Sequence, residues 1–401
     1  MKVLLFSNIN YLANIGGPVG YQYNIAEYLK ENPRDEISFL QESWHYYGVR
    51  TRIANLFFRV LKIVFKKSKA ISFGLSIYEY YYRHYCISKK GVDFLNSFDT
   101  VHIHSLPQVL QFFKKNKIKA KIILTSHTPE PVIDQLFSSN GYGMFLANHP
   151  KLRDRLIKRE LRAFDLCDKI MFPVPQAREP YEQASGLYAN KFKELDSKFF
   201  YVPTALNSID RVKENDHVLD KYNLPNDCLR VCYIGRHNEV KGYDFLKRGA
   251  VEVWKNNHDV RFVIGGKQEP LKGIEDERWI ELGWVNTPKL LNEVDVFVLP
   301  NKNTYFDLIL LEVLRQGTPV ILSRTGGNKW FEDKKVRGLM FFEYGQESEF
   351  VECIEKLSML KAIGELESIK EDNMRFFKSE FNMQLYIERY LDSLTKICYT
   401  K

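Results

Sequence analysis

No pattern of cysteines in this chain organises a metal or a disulfide framework. Six cysteines stand at 86, 167, 228, 232, 353 and 398, with no CxxC pair and no His/Cys cluster at zinc spacing. Most lie beside apolar residues and read as small buried hydrophobes of a reducing compartment. No apolar run approaches the ~20 residues that a membrane span needs. The opening Met1-Lys2-Val3-Leu4-Leu5-Phe6 is too short for a signal peptide and lacks a small-residue cleavage site, so it reads as a first strand. A cytoplasmic location is expected. Low-complexity segments are also missing.

What is present is enough apolar material for two cores: 401 residues, 45% of them hydrophobic. The net charge of +8 admits an anionic partner: nucleotide, phosphate, acidic lipid or nucleic acid. It does not choose among them. Short apolar runs alternate with helical patterns, the signature of parallel α/β sheets. Strands are expected at Val3–Phe6, Ile37–Leu40, Val101–His104, Lys121–Leu124, Lys169–Pro173 and Phe199–Pro203. The second half repeats the plan at Leu229–Gly235, Val260–Gly266, Trp279–Gly283, Val294–Pro300 and Pro319–Ser323, with helices such as Tyr243–Asn256 and Leu308–Gln316. Two Rossmann-like domains follow, residues 1–205 and 206–375, with a hinge near 204–220. The tail, 376–401, has helical spacing and is expected to pack back on the first domain.

One segment fits neither sheet. Arg50 to Lys69 carries Ile53, Leu56, Phe57, Val60, Leu61, Val64 and Phe65 on one helical face. Arg50, Arg52, Arg59, Lys62, Lys66, Lys67 and Lys69 surround them, and no acid interrupts. Such a helix either lies in an anionic membrane surface or is an ordinary surface helix packed on a sheet. No nucleic-acid-binding motif accompanies it, so nucleic acid is not expected as a partner.

Open α/β sheets bind ligands at the carboxyl ends of their strands, so the loops there hold the candidate chemistry. Gly16-Gly17 precede the first helix, where backbone can approach a ligand and amides attract anions. Arg236 and Lys241-Gly242 follow a strand that ends in Gly235. A guanidinium fork and a point charge suit a diphosphate, though most such pairs are solvated surface charge. A further helix begins near Phe306-Asp307-Leu308, and its first amides offer another anion site. Glu312 sits about a turn and a half inside it among Leu310, Leu311, Val313 and Leu314. Its carboxylate can accept from the two hydroxyls of a ribose. Thr325-Gly326-Gly327-Asn328 supplies another amide-lined turn.

These pieces, in this order, resemble the retaining glycosyltransferases of glycosyltransferase family 4. The resemblance runs over nearly the whole chain: "NIGGPVGYQYNIAEYL", "TVHIHS", "ILTSHTPE", "FVIGGK", "ELGWV", "DVFVLP", Arg236…Lys241-Gly242, Glu312 with Gly317-Thr318-Pro319, and Gly326-Gly327. It implies an α/β GT-B fold, two Rossmann-like domains facing each other across a cleft. It also implies an NDP-sugar donor, a UDP-sugar above all, whose hexose passes to a glycan or lipid-linked acceptor in cell-surface polysaccharide synthesis. By that resemblance Arg236 and Lys241 stabilise the leaving diphosphate, Glu312 holds the ribose, and His127 stands near sugar and acceptor. The Gly326-Gly327 segment borders the phosphates, Gly16-Gly17 close the site from the first domain, and Gly266 approaches the base. Neither cofactor nor metal is expected; there is no Asp-x-Asp strand end, and Asp295 stands alone in "EVDVFV". The chain departs from the family at the first of two acids usually spaced eight apart, where it has Thr304. Asp307, at a position usually glycine, is the acid nearest in sequence to take over the sugar contact. Thr304 therefore also motivates a second expectation, a non-catalytic GT-B subunit that supports an active partner. The basic helix would place either protein at the inner face of a membrane.

Overall fold

The computed structural model describes residues 1–6, 17–40, 47–113, 117–207, 218–225 and 227–399. Gly16 and most of the expected hinge lie outside them. The chain forms two compact units. The first comprises Met1–Phe172, Tyr181–Val202 and Glu388–Lys401, the second Pro173–Pro180 and Pro203–Ile387.

The first unit is built on six parallel strands: β1 (Val3–Phe6), β2 (Ile37–Phe39), β3 (Thr100–Ile103), β4 (Lys121–Leu124), β5 (Lys169–Phe172) and β6 (Phe199–Tyr201). Their spatial order is β2-β1-β3-β4-β5-β6. Strands buried on both faces explain why the sequence shows continuous apolar runs rather than alternation. The order reverses between β1 and β3, which leaves a crevice at their carboxyl ends.

The second unit repeats the design with β7 (Leu229–Ile234), β8 (Val260–Gly265), β9 (Trp279–Gly283), β10 (Val296–Leu299), β11 (Val320–Ser323) and β12 (Leu339–Phe342). The order is β12-β11-β10-β7-β8-β9, so the reversal falls between β7 and β10. β12 has no counterpart among the expected strands; it is a four-residue edge strand paired only with β11. At the β7/β10 crevice the loop after β7 is laced to the loop after β10. Lys302 N and Asn303 N donate to Val240 O at 3.0 and 3.3 Å. Gly242 makes this possible. Its φ is +68°, and a Cβ there would stand 1.6 Å from Pro300 O.

Three expectations need correction. The tail is not one helix: Leu366–Glu380 ends at Phe381, and Met383–Tyr399 begins anew. Asn382 breaks the run by turning its side-chain oxygen to Leu385 N at 2.9 Å. The basic segment is not one helix over 50–69 either. Val49–Val64 stops, and Ser68 caps the next helix, Lys69–Tyr81, by accepting from Ile71 N at 3.4 Å. Finally, the first domain does not run unbroken, because Pro173–Pro180 belongs to the second unit. Among the cysteines, Cys167, Cys228 and Cys232 are buried as expected, whereas Cys86 is exposed.

A buried carboxylate ties four helices of the first unit together. Glu160, on Pro150–Leu166, accepts from Tyr81 OH at 2.5 Å, from Ile133 N at 2.7 Å and from Tyr188 OH. These partners lie on Lys69–Tyr81, Val132–Ser139 and Gly186–Glu194. Burial pushes its pKa up to about 7, against the opposing pull of the two tyrosine hydroxyls and the Ile133 amide. The folded chain thus holds this proton more tightly than the unfolded one. The stabilisation is complete below the unfolded value of ~4.5 and is lost as pH rises through about 7, on the order of 3 kcal/mol. Denaturant unfolding of wild type and Glu160→Gln at pH 5 and pH 8 isolates this term, because other titrating groups cancel in the comparison. Wild type is expected to lose more stability than the variant across that interval; parallel losses would contradict the assignment. Gly242→Ala is expected to cost the second unit at least ~2 kcal/mol in the same assay. The control is Gly345→Ala, at φ +95° but in open space, which carries only the backbone strain.

Candidate functional site

The strongest concentration of expected residues lies at the β7/β10 crevice of the second unit. Arg236 follows β7 by two residues and is exposed; its guanidinium has no hydrogen-bond partner among the described residues. The loop that carries it is held from below. Tyr233 OH donates to Arg236 O at 2.7 Å, and Lys241 N donates to Asn238 Oδ1 at 2.9 Å. Arg236 is therefore a free cation on a fixed backbone.

Lys241 is not free. Its Nζ pairs with Asp307 Oδ1 at 2.6 Å, and Asn301 Nδ2 donates to the other carboxylate oxygen. The Asn301 carbonyl in turn accepts from Ser323 Oγ at 2.6 Å and Thr325 Oγ1 at 3.0 Å. Asp307, expected as a sugar contact, thus occupies the cation expected to serve a diphosphate. It is also the residue before the helix Leu308–Gln316, yet its side chain makes no capping bond there. The first amides of that helix have no partner within it, as at any helix start. Asn301 was not singled out from sequence. Its position directly after Pro300, at the end of the strand run, was the available signal.

Glu312 lies one turn further along. It is half-buried and makes no hydrogen bond with a described residue. Burial raises its pKa, with the nearby Arg315 opposing. A half-buried carboxylate with unused acceptors suits a ligand that brings hydroxyl donors. Thr304 is fully buried, and its Oγ1 has no hydrogen-bond partner among the described residues. Phe306 is stacked on Phe331 at 5.5 Å and is packed away in an aromatic cluster. Leu308 is half-buried.

The glycines after β8 and β11 act through packing. A Cβ on Gly326 would stand 2.1 Å from Thr304 O, and one on Gly327 would stand 2.1 Å from Tyr305 O. Gly327 N donates to Thr304 O at 3.3 Å, so this pair is not an open amide nest. Gly266, at φ +131°, would clash with Gly235 O at 2.1 Å, and its amide donates to Gly283 O at 2.7 Å. These glycines bring neighbouring loops into backbone contact and so set the floor of the crevice.

In the first unit three histidines gather at the carboxyl ends of β3 and β4. His102 and His104 share one face of β3 and its end, with ring centroids 4.2 Å apart. His104 Nδ1 lies 2.9 Å from His127 Nε2, and His102 is held by Tyr390 OH at 2.7 Å and Thr125 Oγ1 at 2.8 Å. Tyr21 packs on His104 and His127 from the helix Gly17–Glu31. Gly17, at φ +54°, starts that helix in open space. His127 itself has φ +57°, a conformation few non-glycine residues adopt. Burial lowers the pKa of His102 and His127 to about 3 and that of His104 well below its ordinary value. His127 is therefore a neutral ring, fit for hydrogen bonding rather than for charge. Neither His102 nor His104 is among the residues expected at a site; their i, i+2 spacing on a strand that ends beside His127 was the signal.

The fold and these sites can be set against known proteins. The sequence model of the family described as "Glycosyl transferases group 1" matches residues 228–359, all within the second unit. An uncharacterised 41.2 kDa protein in the cps region of Klebsiella pneumoniae is 24% identical over 243 residues, 56% of this chain and 60% of that protein. The lipopolysaccharide core biosynthesis glycosyltransferase LpsE of Rhizobium meliloti is 36% identical over 148 residues, 34% of this chain and 42% of that protein. The chain thus spans less than two thirds of the length of these relatives. The structure of Anabaena HepE in complex with UDP-glucose superposes with a TM-score of 0.60 at 12% identity, covering 99% of this chain and 100% of that one. At that identity the likeness speaks for the fold alone. Two Rossmann-like α/β units with six parallel strands each, matching GT-B glycosyltransferase structures, are the architecture of this chain.

Proposed function

We propose that this chain is a retaining glycosyltransferase that moves a hexose from a UDP-sugar to a glycan acceptor in cell-surface polysaccharide synthesis. The observation that carries this reading is the β7/β10 crevice, where the unpaired Arg236, the Lys241–Asp307 pair and the start of the helix Leu308–Gln316 all fall on loops that glycines bring into backbone contact. It coincides with the segment that matches the glycosyltransferase family. The names of the relatives, a lipopolysaccharide core enzyme and a protein of a cps region, support the acceptor class. The donor class is supported by the UDP-glucose bound to HepE.

In this reading the diphosphate takes Lys241 from Asp307 and adds Arg236 as its second cation. Both charges strengthen as the sugar–phosphate bond breaks and negative charge grows on the leaving diphosphate, which is where catalysis of this kind gains most. Glu312 accepts from the ribose diol. Asp307, released from Lys241, turns to the sugar hydroxyls and replaces the acid that Thr304 lacks. The acceptor hydroxyl attacks the face the diphosphate leaves, and a donor phosphate oxygen receives its proton. His127 takes part as a neutral hydrogen-bonding ring. With two cations on the diphosphate, the reaction is proposed to need no divalent metal.

A second reading is favoured by Thr304, whose hydroxyl is buried where a carboxylate is usual. The chain would then be a GT-B subunit that binds a nucleotide sugar without turning it over. Calorimetry with UDP and a coupled assay of UDP release with polysaccharide acceptors separate the two. The enzyme reading expects Lys241→Ala to weaken UDP binding roughly ten- to hundredfold. It expects Asp307→Asn to leave UDP binding intact or tighter while turnover falls, and chelation by EDTA to leave the rate unchanged. UDP binding without release on any donor or acceptor would favour the second reading, and no UDP binding would sink both. His127→Asn is expected to lower turnover without moving the pH profile between pH 5 and 8, since the ring stays neutral there.

A further inference from the structure

The helix Val49–Val64 is docked with its apolar side outward. Its inner face holds Thr51, Asn55 and Phe58. Thr51 Oγ1 accepts from Cys86 N at 2.8 Å and donates to Cys86 O at 3.1 Å. Arg83 donates to Asn55 Oδ1 and lies over the Phe58 ring at 4.6 Å. Glu79, on Lys69–Tyr81, pairs with both Arg83 and Lys62. These polar contacts fix the rotation of the helix, and the fixed rotation leaves the rest of it in solvent.

What faces solvent is a continuous stripe. Val49, Ile53, Leu56, Phe57, Val60, Ile63 and Val64 are each between 49% and 70% exposed. At about 100° per residue they cover roughly 120° of the helix circumference. Arg50 borders the stripe on one side, and Arg52 and Arg59 border it on the other; all three are exposed. Leu61 and Phe65, expected on the same face, are half-buried instead and lie off the stripe. Lys66, Lys67 and Lys69 continue the charge beyond the helix end, and no acidic residue occurs between Glu42 and Glu79. A helix packed on a sheet turns such a stripe inward, because exposing it forfeits the burial that amphipathic helices form to obtain. Here the stripe is left open and edged by cations. A protein partner would have to offer an apolar groove edged on both sides by acids to match both features. An anionic lipid surface uses both features at once: acyl chains take the stripe, and headgroups take the arginines.

We propose that the helix Val49–Val64 docks this chain on an anionic lipid bilayer, lying in the plane of the surface with its apolar stripe toward the acyl chains. This surface belongs to the first unit and stands independently of the transferase reading. No helix among the described residues is long and apolar enough to span a membrane, so the contact is one of surface insertion.

Co-sedimentation of the full chain with phosphatidylglycerol/phosphatidylcholine vesicles, and with pure phosphatidylcholine vesicles, tests it. Wild type is expected to bind the anionic vesicles at least about a hundredfold more tightly than the neutral ones, and less tightly as salt rises. A Leu56→Ser/Phe57→Ser/Val60→Ser variant is expected to lose binding at every salt concentration. An Arg50→Gln/Arg52→Gln/Arg59→Gln variant is expected to lose roughly a hundredfold on anionic vesicles and nothing on neutral ones. Both variants change exposed side chains only, so an unchanged melting temperature shows that they fold. Unchanged vesicle binding in both variants would overturn the proposal. So would absence of binding by wild type together with a concentration-dependent dimer that the serine variant abolishes, which would assign the stripe to a second copy of the chain.

Discussion

Everything proposed for the second unit depends on one close approach of backbone, the contact of residues 240–242 with residues 300–303. Parallel strands β7 and β10 are neighbours, but their connections run to opposite sides of the sheet, so their carboxyl-end loops diverge unless something holds them. Gly242 holds them by having no side chain: no residue with a Cβ fits against Pro300 O at that φ. The approach sets Lys241 on Asp307. Gly266, Gly326 and Gly327 repeat the device on the flanking loops. The chemistry of the crevice is thus a consequence of four places where the chain does without a side chain.

The Lys241–Asp307 pair gives that crevice a particular character. A lysine facing an empty anion site would carry an unbalanced charge in a partly buried place. Here the chain supplies its own anion, with Asn301 steadying it. Under the proposed function a diphosphate competes with that carboxylate and frees it for a second task. The first unit follows different physics. Histidines that burial keeps neutral gather at the carboxyl ends of its strands, packed on one another and on Tyr21. His102 and His104 lie inside, so only His127 is partly open.

Much of the fold was legible because parallel strands buried on both faces write continuous apolar runs into the sequence. Helices Tyr243–Asn256 and Leu308–Gln316 appear with the expected ends because Gly242 and Gly317 punctuate them in left-handed conformations. β12 was missed because four apolar residues at a sheet edge look like any loop that touches a core. The charged groups of the site were legible as residue types after strand ends. Their partners were not, since the Lys241–Asp307 pair spans 66 residues of sequence and exists only through the sheet order. The backbone packing of Gly326-Gly327 was not legible for a related reason. A glycine pair looks the same in sequence whether its amides await a ligand or its missing side chains admit another backbone. Likewise, periodicity showed that the segment Arg50–Lys69 is amphipathic but not which side faces the protein. Thr51, Asn55 and Arg83 decide that, through hydrogen bonds no pattern announces.

The most direct test of the account is a crystal structure of the chain with UDP bound. The account predicts the diphosphate on Arg236 and Lys241, the ribose on Glu312, and Asp307 turned away from Lys241. A nucleotide bound elsewhere, or bound there with the Lys241–Asp307 pair intact, would contradict it.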